Sequence, residues 1–298
     1  MTTINLNYYS GQNQYSDGED IENELLDMVT YNNDFSEILA TDERWPIMYH
    51  LSPHRRNLLE WYPFETKASV LEIGAGCGAL TGLFCERTRS VTAVELSKKR
   101  AQIIAKRYDG VNNLRIFAGN LLDMQFDEKF DYITMVGVLE YTKTYIKGVD
   151  PYKHLLRKTY ELLAVNGKLI IAIENKFGMK YWAGSREDHT GIFFDGIRGY
   201  APESGIETFG KREIEELLAK NGFANPEFYY PHPDYKFPFE IFSDKHLPVA
   251  ADILEEAEIN DGQDKKVLFE AKKAFFNVIK NGQFDFFANS FLIVARKK

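Results

Sequence analysis

One stretch limits the fold more than any other: Val70-Leu71-Glu72-Ile73 runs directly into Gly74-Ala75-Gly76-Cys77-Gly78-Ala79. The apolar run reads as a buried strand. The glycines after it let the backbone turn tightly and approach a ligand, leaving N–H groups free at the start of a helix. From Cys77, the residues Leu80, Thr81, Phe84 and Cys85 follow at i+3, i+4, i+7 and i+8. That spacing predicts a helix with both cysteines on its buried stripe.

The same rhythm continues. Strands are expected at 91–95, 114–117, 131–136 and 168–173, with helices at 98–108 and 152–163 between them. Apolar runs alternating with amphipathic helices predict a mostly parallel sheet covered on both faces. After a helix at 211–220, strands are expected at 228–230 and 290–294. Between these, 248–280 has helical patterning with a solvated face that includes Glu255, Glu256, Glu258, Lys265, Lys266, Lys272 and Lys273. The first 65 residues differ from the middle: Tyr8, Tyr9 and Tyr15 lie among polar residues, and Asp17-Gly18-Glu19-Asp20 leads into Ile21, Leu25, Leu26 and Met28 at helical spacing. Acidic residues in a first turn suit the positive end of a helix dipole. The organisation expected is a helical cap (1–65), a core (66–235), a helical insertion (236–284) and a last core strand (285–298).

Gly74, Gly76 and Ala79 also fit the dinucleotide fingerprint, and Glu95, 21 positions after Gly74, could accept ribose hydroxyls of either cofactor class. Three features favour S-adenosylmethionine over a nicotinamide. Gly119-Asn120-Leu121 places a side-chain amide where an adenine edge can be read; Val136-Gly137-Val138-Leu139-Glu140-Tyr141 offers a backbone bend for the methionine part; and the last two strands can pair antiparallel.

With Val70–Gly78, Val94-Glu95-Leu96-Ser97, Gly119-Asn120 and Val165-Asn166-Gly167-Lys168-Leu169, the chain resembles the class I S-adenosylmethionine-dependent methyltransferases over about 68–230 plus the last strand. The resemblance implies a Rossmann-like, seven-stranded, mostly parallel sheet with helices on both faces and one antiparallel strand. It implies that Glu72, Gly74, Ala75, Gly76 and Gly78 face the amino-acid end of the cofactor, and Glu95 and Leu96 the ribose. Gly119, Asn120, Leu121 and Gly137 complete the set, with Asn120 standing where the family more often has aspartate.

Open parallel sheets bind ligands at the carboxyl ends of their strands. The stretch after 168–173, Glu174-Asn175-Lys176-Phe177-Gly178-Met179-Lys180-Tyr181-Trp182-Ala183-Gly184-Ser185-Arg186-Glu187-Asp188-His189-Thr190-Gly191, is long for a connector and reads as a binding loop. Methyl transfer from a sulfonium is an in-line displacement, so the protein must align the acceptor and, for a hydroxyl, remove a proton. His189 is the first expected base, with Asp188 and Glu174 as the other catalytic residues; Tyr181, Trp182, Glu187, His232 and Tyr235 are expected to line the acceptor. No metal is expected, because no metal-ligand spacing supports one; an Asp/His/Glu metal site in this loop, as in some sugar methyltransferases, stays open as the alternative. This loop, with Tyr229–Pro238, Ile241-Phe242-Ser243-Asp244, Tyr15-Ser16-Asp17-Gly18 and Glu22, is similar to a bacterial methyltransferase subgroup associated with glycosyltransferases and surface-polysaccharide synthesis. The resemblance implies a sugar, glycan or other small polar acceptor methylated on oxygen. Methylation of nitrogen, of a peptide or of a secondary metabolite stays open, as does a non-catalytic partner of a glycosyltransferase.

Charge narrows the partners. With 36 basic against 44 acidic residues the net charge is −8, which argues against broad capture of nucleic acid or anionic membrane. Two cysteines are too few for a disulfide framework, and no basic start with an apolar run marks a leader, so a cytoplasmic location is expected. A homodimer is left open by the 236–284 insertion.

Overall fold

The computed structural model describes residues 3–11, 16–249, 252 and 263–298. Tyr15, Glu255, Glu256 and Glu258 lie outside the described residues. The chain forms two compact units, Met1–Met135 with Leu162–Gly167, and Val136–Glu161 with Lys168–Lys298.

In the first unit, β1 (Ile4–Tyr8), β2 (Ser69–Ile73), β3 (Ser90–Glu95), β4 (Leu114–Gly119) and β5 (Phe130–Val136) lie in the order β1-β4-β3-β2-β5, every pair parallel. All five residues of β2 are buried, as expected of a strand covered on both faces. The register sets Ile73 beside Val94 and Glu95 beside Ala118. The glycine loop, Glu95 and Gly119 therefore sit together at the carboxyl edge of this sheet.

The second unit carries β6 (Leu163–Glu174, from Lys168 onward), β7 (Phe223–His232), β8 (Glu240–Ser243) and β9 (Ser290–Lys297). Here β9 pairs antiparallel with both β6 and β7, and β8 pairs antiparallel with β7.

The described residues thus hold nine strands where seven were expected, a mostly parallel set with one antiparallel part. The extra strands are β1 and β8. Ile4 and Leu6 alternate with Asn5 and Asn7, too short and polar a run to stand out, and β1 is stabilised by laying Ile4 and Asn5 against Ile116 and Phe117 of β4. β8 is four half-buried residues matched to Tyr229–His232.

Two other expectations change. The helix after the glycine loop spans Thr81–Arg87, so Cys77 lies before it. Gly76 and Gly78 have φ of +57° and +81°, which a right-handed helix excludes. Cys77 is buried but Cys85 only half-buried. Within 248–280, the described helix is Ala271–Lys280. Among the described residues before it, Lys266 and Leu268 donate to the carbonyls of Gly184 and Ala183, both at 2.9 Å.

The N-terminal helix Glu19–Tyr31 packs through Leu25 and Val29 on Ile47, Leu51, Cys77 and Ile103. Its charged end is tied down by the buried Arg100, whose guanidinium donates to Glu22 at 2.9 Å and to Asp17. No helix among the described residues is long and apolar enough to cross a membrane.

Candidate active site

The cofactor residues expected in the first unit form one cradle. Gly74 and Ala75 donate to the Val94 carbonyl at 2.9 and 3.1 Å, which hooks the loop over β3. A Cβ on Gly78 would lie 2.8 Å from the Tyr108 ring, so that glycine is required by packing. A Cβ on Gly76 would meet nothing within 4 Å: there the loop borders open space that a side chain would fill.

Glu95 is buried and accepts from the Gly76 N–H at 2.8 Å and the Ser97 N–H at 2.9 Å, with burial raising its pKa. Each carboxylate oxygen retains a further lone pair. Glu72 is buried and accepts from Thr81 Oγ1 at 2.6 Å; burial pushes its carboxyl up to about 8 against the help of that bond. Leu96 is half-buried and Leu121 buried. Asn120 spends its Oδ1 on the Leu122 N–H at 3.0 Å, and Gly119 passes beneath the Tyr8 carbonyl, where a Cβ would come within 2.2 Å. Open space borders Gly76, whose N–H is held by the buried Glu95 carboxylate.

Gly137 belongs to the second unit, with φ of +67° and its N–H donating to the Ala172 carbonyl at 3.0 Å. The rest of that unit's polar residues form two linked groups. In the first, Lys180 donates to Asp188 at 2.8 Å and to Asp234 at 2.7 Å, while Lys236 donates to Asp188 at 2.7 Å and to Glu174. Burial alone would raise the Asp188 pKa, but Lys180 and Lys236 outweigh it and hold this carboxylate well below its usual range.

The second group surrounds His189. Its Nδ1 lies 2.9 Å from Glu187 Oε1, and its Nε2 lies 3.6 Å from Glu140 and 3.7 Å from Glu174. Burial would strip the imidazole of its proton, but Glu174, Glu140 and Glu187 outweigh that and keep it charged well above the ordinary histidine value. Glu174 is fully buried, and burial raises its pKa against the opposing charges of Lys236 and His189. Both oxygens of Glu140 and Oε2 of Glu174 have no hydrogen-bond partner.

The remaining expected acceptor residues are placed differently from one another. Glu187 is consumed by its own loop, accepting from the N–H groups of His189 and Thr190 at 2.8 and 2.7 Å and from Tyr200 at 3.0 Å. Tyr181 is buried, its hydroxyl 3.3 Å from Asp188, so neither ring face is open for stacking. Trp182 is 37% exposed, its indole N–H donating to the Phe177 carbonyl at 3.2 Å and its ring edge-on to Phe287. His232 is buried edge-on to Phe275, and burial lowers its pKa to about 4. Tyr235 is buried with its hydroxyl 3.0 Å from where a Gly137 Cβ would stand.

Sequence reasoning placed Asp234 beside His232 and Tyr235 as a pocket-lining residue but missed Glu140, Lys180, Lys236 and Tyr200. Glu140 had a faint signal, standing three residues past Gly137 in the bend after β5. The others have no local pattern, because they meet only when the loop after β6 folds against the end of β7.

Residues 71–169 match the family model described as "Methyltransferase domain". The chain is 29% identical over 97 residues to a ribosomal RNA small subunit methyltransferase A of Syntrophus aciditrophicus, covering 33% of this chain and 32% of that protein. It is 42% identical over 67 residues to a probable ribosomal RNA small subunit methyltransferase A of Methanosarcina barkeri, covering 22% and 23%. The chain thus spans a third or less of the length of these curated relatives. Among solved structures, phosphoethanolamine N-methyltransferase 2 of Haemonchus contortus, determined with S-adenosyl-L-methionine, superposes with a TM-score of 0.51 at 17% identity, over 93% of this chain and 60% of that one. That likeness is one of fold. The family match thus covers a third of the chain, and residues 71–169, with their parallel strands and glycine loop, are similar to a methyltransferase domain.

Proposed function

We propose that this chain is an S-adenosylmethionine-dependent methyltransferase that methylates an oxygen of a small polar acceptor of the sugar or glycan class. The observation that carries the acceptor half is the pair of buried carboxylates, Glu140 and Glu174, whose free oxygens lie beside His189. Buried acceptors without hydrogen bonds are costly, and hydroxyl groups of a bound ligand would satisfy them. The same oxygens can take the proton that a hydroxyl loses as the methyl arrives. Trp182, 37% exposed on the same loop, would supply a stacking face for a sugar. The resemblance to methyltransferases of surface-polysaccharide synthesis supports the sugar class and a glycosyltransferase as partner.

Glu72 and the loop Gly74–Gly78 would hold the aminoacyl end of the cofactor, Glu95 with Leu96 the ribose, and Asn120 with Leu121 the adenine. S-adenosylmethionine supplies an electrophilic methyl group on a sulfonium. In the second unit Asp188 is committed to Lys180 and Lys236 and keeps the loop in shape. Glu187 holds the His189 ring so that Nε2 points at Glu140 and Glu174. An amine acceptor is the second reading, because the carboxylate oxygens of Glu140 and Glu174 that lack a hydrogen bond can accept from an N–H group as well as from a hydroxyl. The ribosomal RNA named for the relatives is not carried over: they match a third of this chain or less, and a net charge of −8 opposes a polyanion.

Calorimetry with S-adenosylmethionine and S-adenosylhomocysteine tests the cofactor half, with Gly76→Arg expected to abolish binding. Methyl transfer to sugar nucleotides, lost in Glu140→Gln, tests the acceptor. Absence of cofactor binding by the wild type refutes the reading.

A further inference from the structure

Glu140, Glu174 and His189 stand 34 and 15 positions apart in sequence, a spacing no metal motif uses. In the second unit each presents one ligand atom to a common point, and these atoms all lie within 4.8 Å of one another. Glu140 is 1% exposed and Glu174 fully buried. A second observation supports a ligand here: both Glu140 oxygens, and the Glu174 oxygen nearest His189, have no hydrogen-bond partner, the His189 Nε2 standing off at 3.6 and 3.7 Å. Leaving buried carboxylate oxygens unsatisfied costs several kcal/mol in order of magnitude. The lysines do not repair this, since Lys236 reaches Glu174 through its other oxygen and Lys180 is spent on Asp188 and Asp234.

The outer arrangement fits as well. A metal-ligating histidine usually donates its second ring N–H to a carboxylate, which fixes the ring. His189 does this through Nδ1 to Glu187, and Glu187 is itself held by the Thr190 N–H and the Tyr200 hydroxyl. A cation entering here would displace the Nε2 proton of His189, and two carboxylates with the resulting neutral imidazole form a nitrogen–oxygen donor set that balances a double positive charge.

We propose that Glu140, Glu174 and His189 form a binding site for a divalent cation such as Mn²⁺, with Glu187 as the positioning residue. Three protein ligands leave coordination positions open for oxygens of a bound molecule. That consequence rests on the methyltransferase reading; the site itself does not, and it is tested without cofactor.

The experiment titrates the metal-free full chain into Mn²⁺ and follows loss of the free-ion electron paramagnetic resonance signal. One Mn²⁺ per chain is expected, weakened at least tenfold in Glu140→Gln and in Glu174→Gln, each checked for folding by circular dichroism. Should a variant not fold, pulsed resonance on the wild-type complex decides instead, with a ¹⁴N coupling from the His189 imidazole expected. No stoichiometric binding by the wild type, equal affinity in folded Glu140→Gln, or absence of the nitrogen coupling overturns the site. Failure of the methyltransferase reading would show separately, as absent S-adenosylmethionine binding in calorimetry.

Discussion

His189 Nδ1 and Glu187 Oε1 lie 2.9 Å apart, and the same carboxylate accepts the backbone N–H groups of His189 and Thr190. The loop thereby builds its own support for the ring before any ligand arrives. Glu187→Gln keeps the shape but gives up one acceptor oxygen. Partners of this outer kind are worth roughly 10–100-fold in activity when removed. A fall of that size in kcat is expected, with S-adenosylmethionine affinity unchanged in calorimetry, because Glu187 is outside the set of residues proposed to hold the cofactor.

Glu72 gives a pH prediction. Burial raises its carboxyl from 4.5 to about 8. A folded-state pKa above the unfolded one means the native state holds the proton more tightly. Its contribution is therefore complete below about pH 4.5 and is lost as pH rises through about 8. Glu72→Gln removes that penalty, so wild type should lose stability relative to the variant across this window, by roughly 1.4 kcal/mol per unit at most. Urea melts of both proteins between pH 5 and pH 8 measure it; parallel curves would contradict it.

Asp188 separates a structural from a catalytic role. It lies between Lys180 and Lys236 at 2.8 and 2.7 Å. Asp188→Asn would leave two largely buried ammonium groups short of a partner, a loss of about 3–5 kcal/mol. A melting temperature lowered by more than 5 °C is expected. The carboxylate's pKa is depressed, so its stabilisation is present above its ordinary value of 3.8 and disappears as pH falls below that value. An unchanged melting temperature with lost activity would instead make Asp188 the base.

Gly119 has φ of +133°, and a Cβ there would stand 2.2 Å from the Tyr8 carbonyl oxygen. Gly119→Ala must push β1 off the edge of β4. A loss of about 2 kcal/mol or more is expected. Hydrogen exchange should show faster exchange at Ile4–Tyr8 than elsewhere in the first unit; uniform protection would contradict the coupling.

By itself the sequence determined the parallel α/β part and the glycine loop at its carboxyl edge. Strand, glycine loop and helix are local patterns, and the positions of Gly74, Gly76, Glu95 and Gly119 follow from where their own strands end. Register then brings those ends level without any distant side-chain contact. It also singled out the loop carrying His189, though not the state of that ring. Only the tertiary structure decided that Asp188 is locked between two lysines, that Tyr181 is buried, and that Glu140 joins Glu174 and His189. β1 and β8 were likewise settled by pairing with β4 and β7. The physical reason is common to all of these. Burial and ion pairing fix the charge and orientation of a polar side chain, and both depend on residues tens of positions away, which no local period encodes.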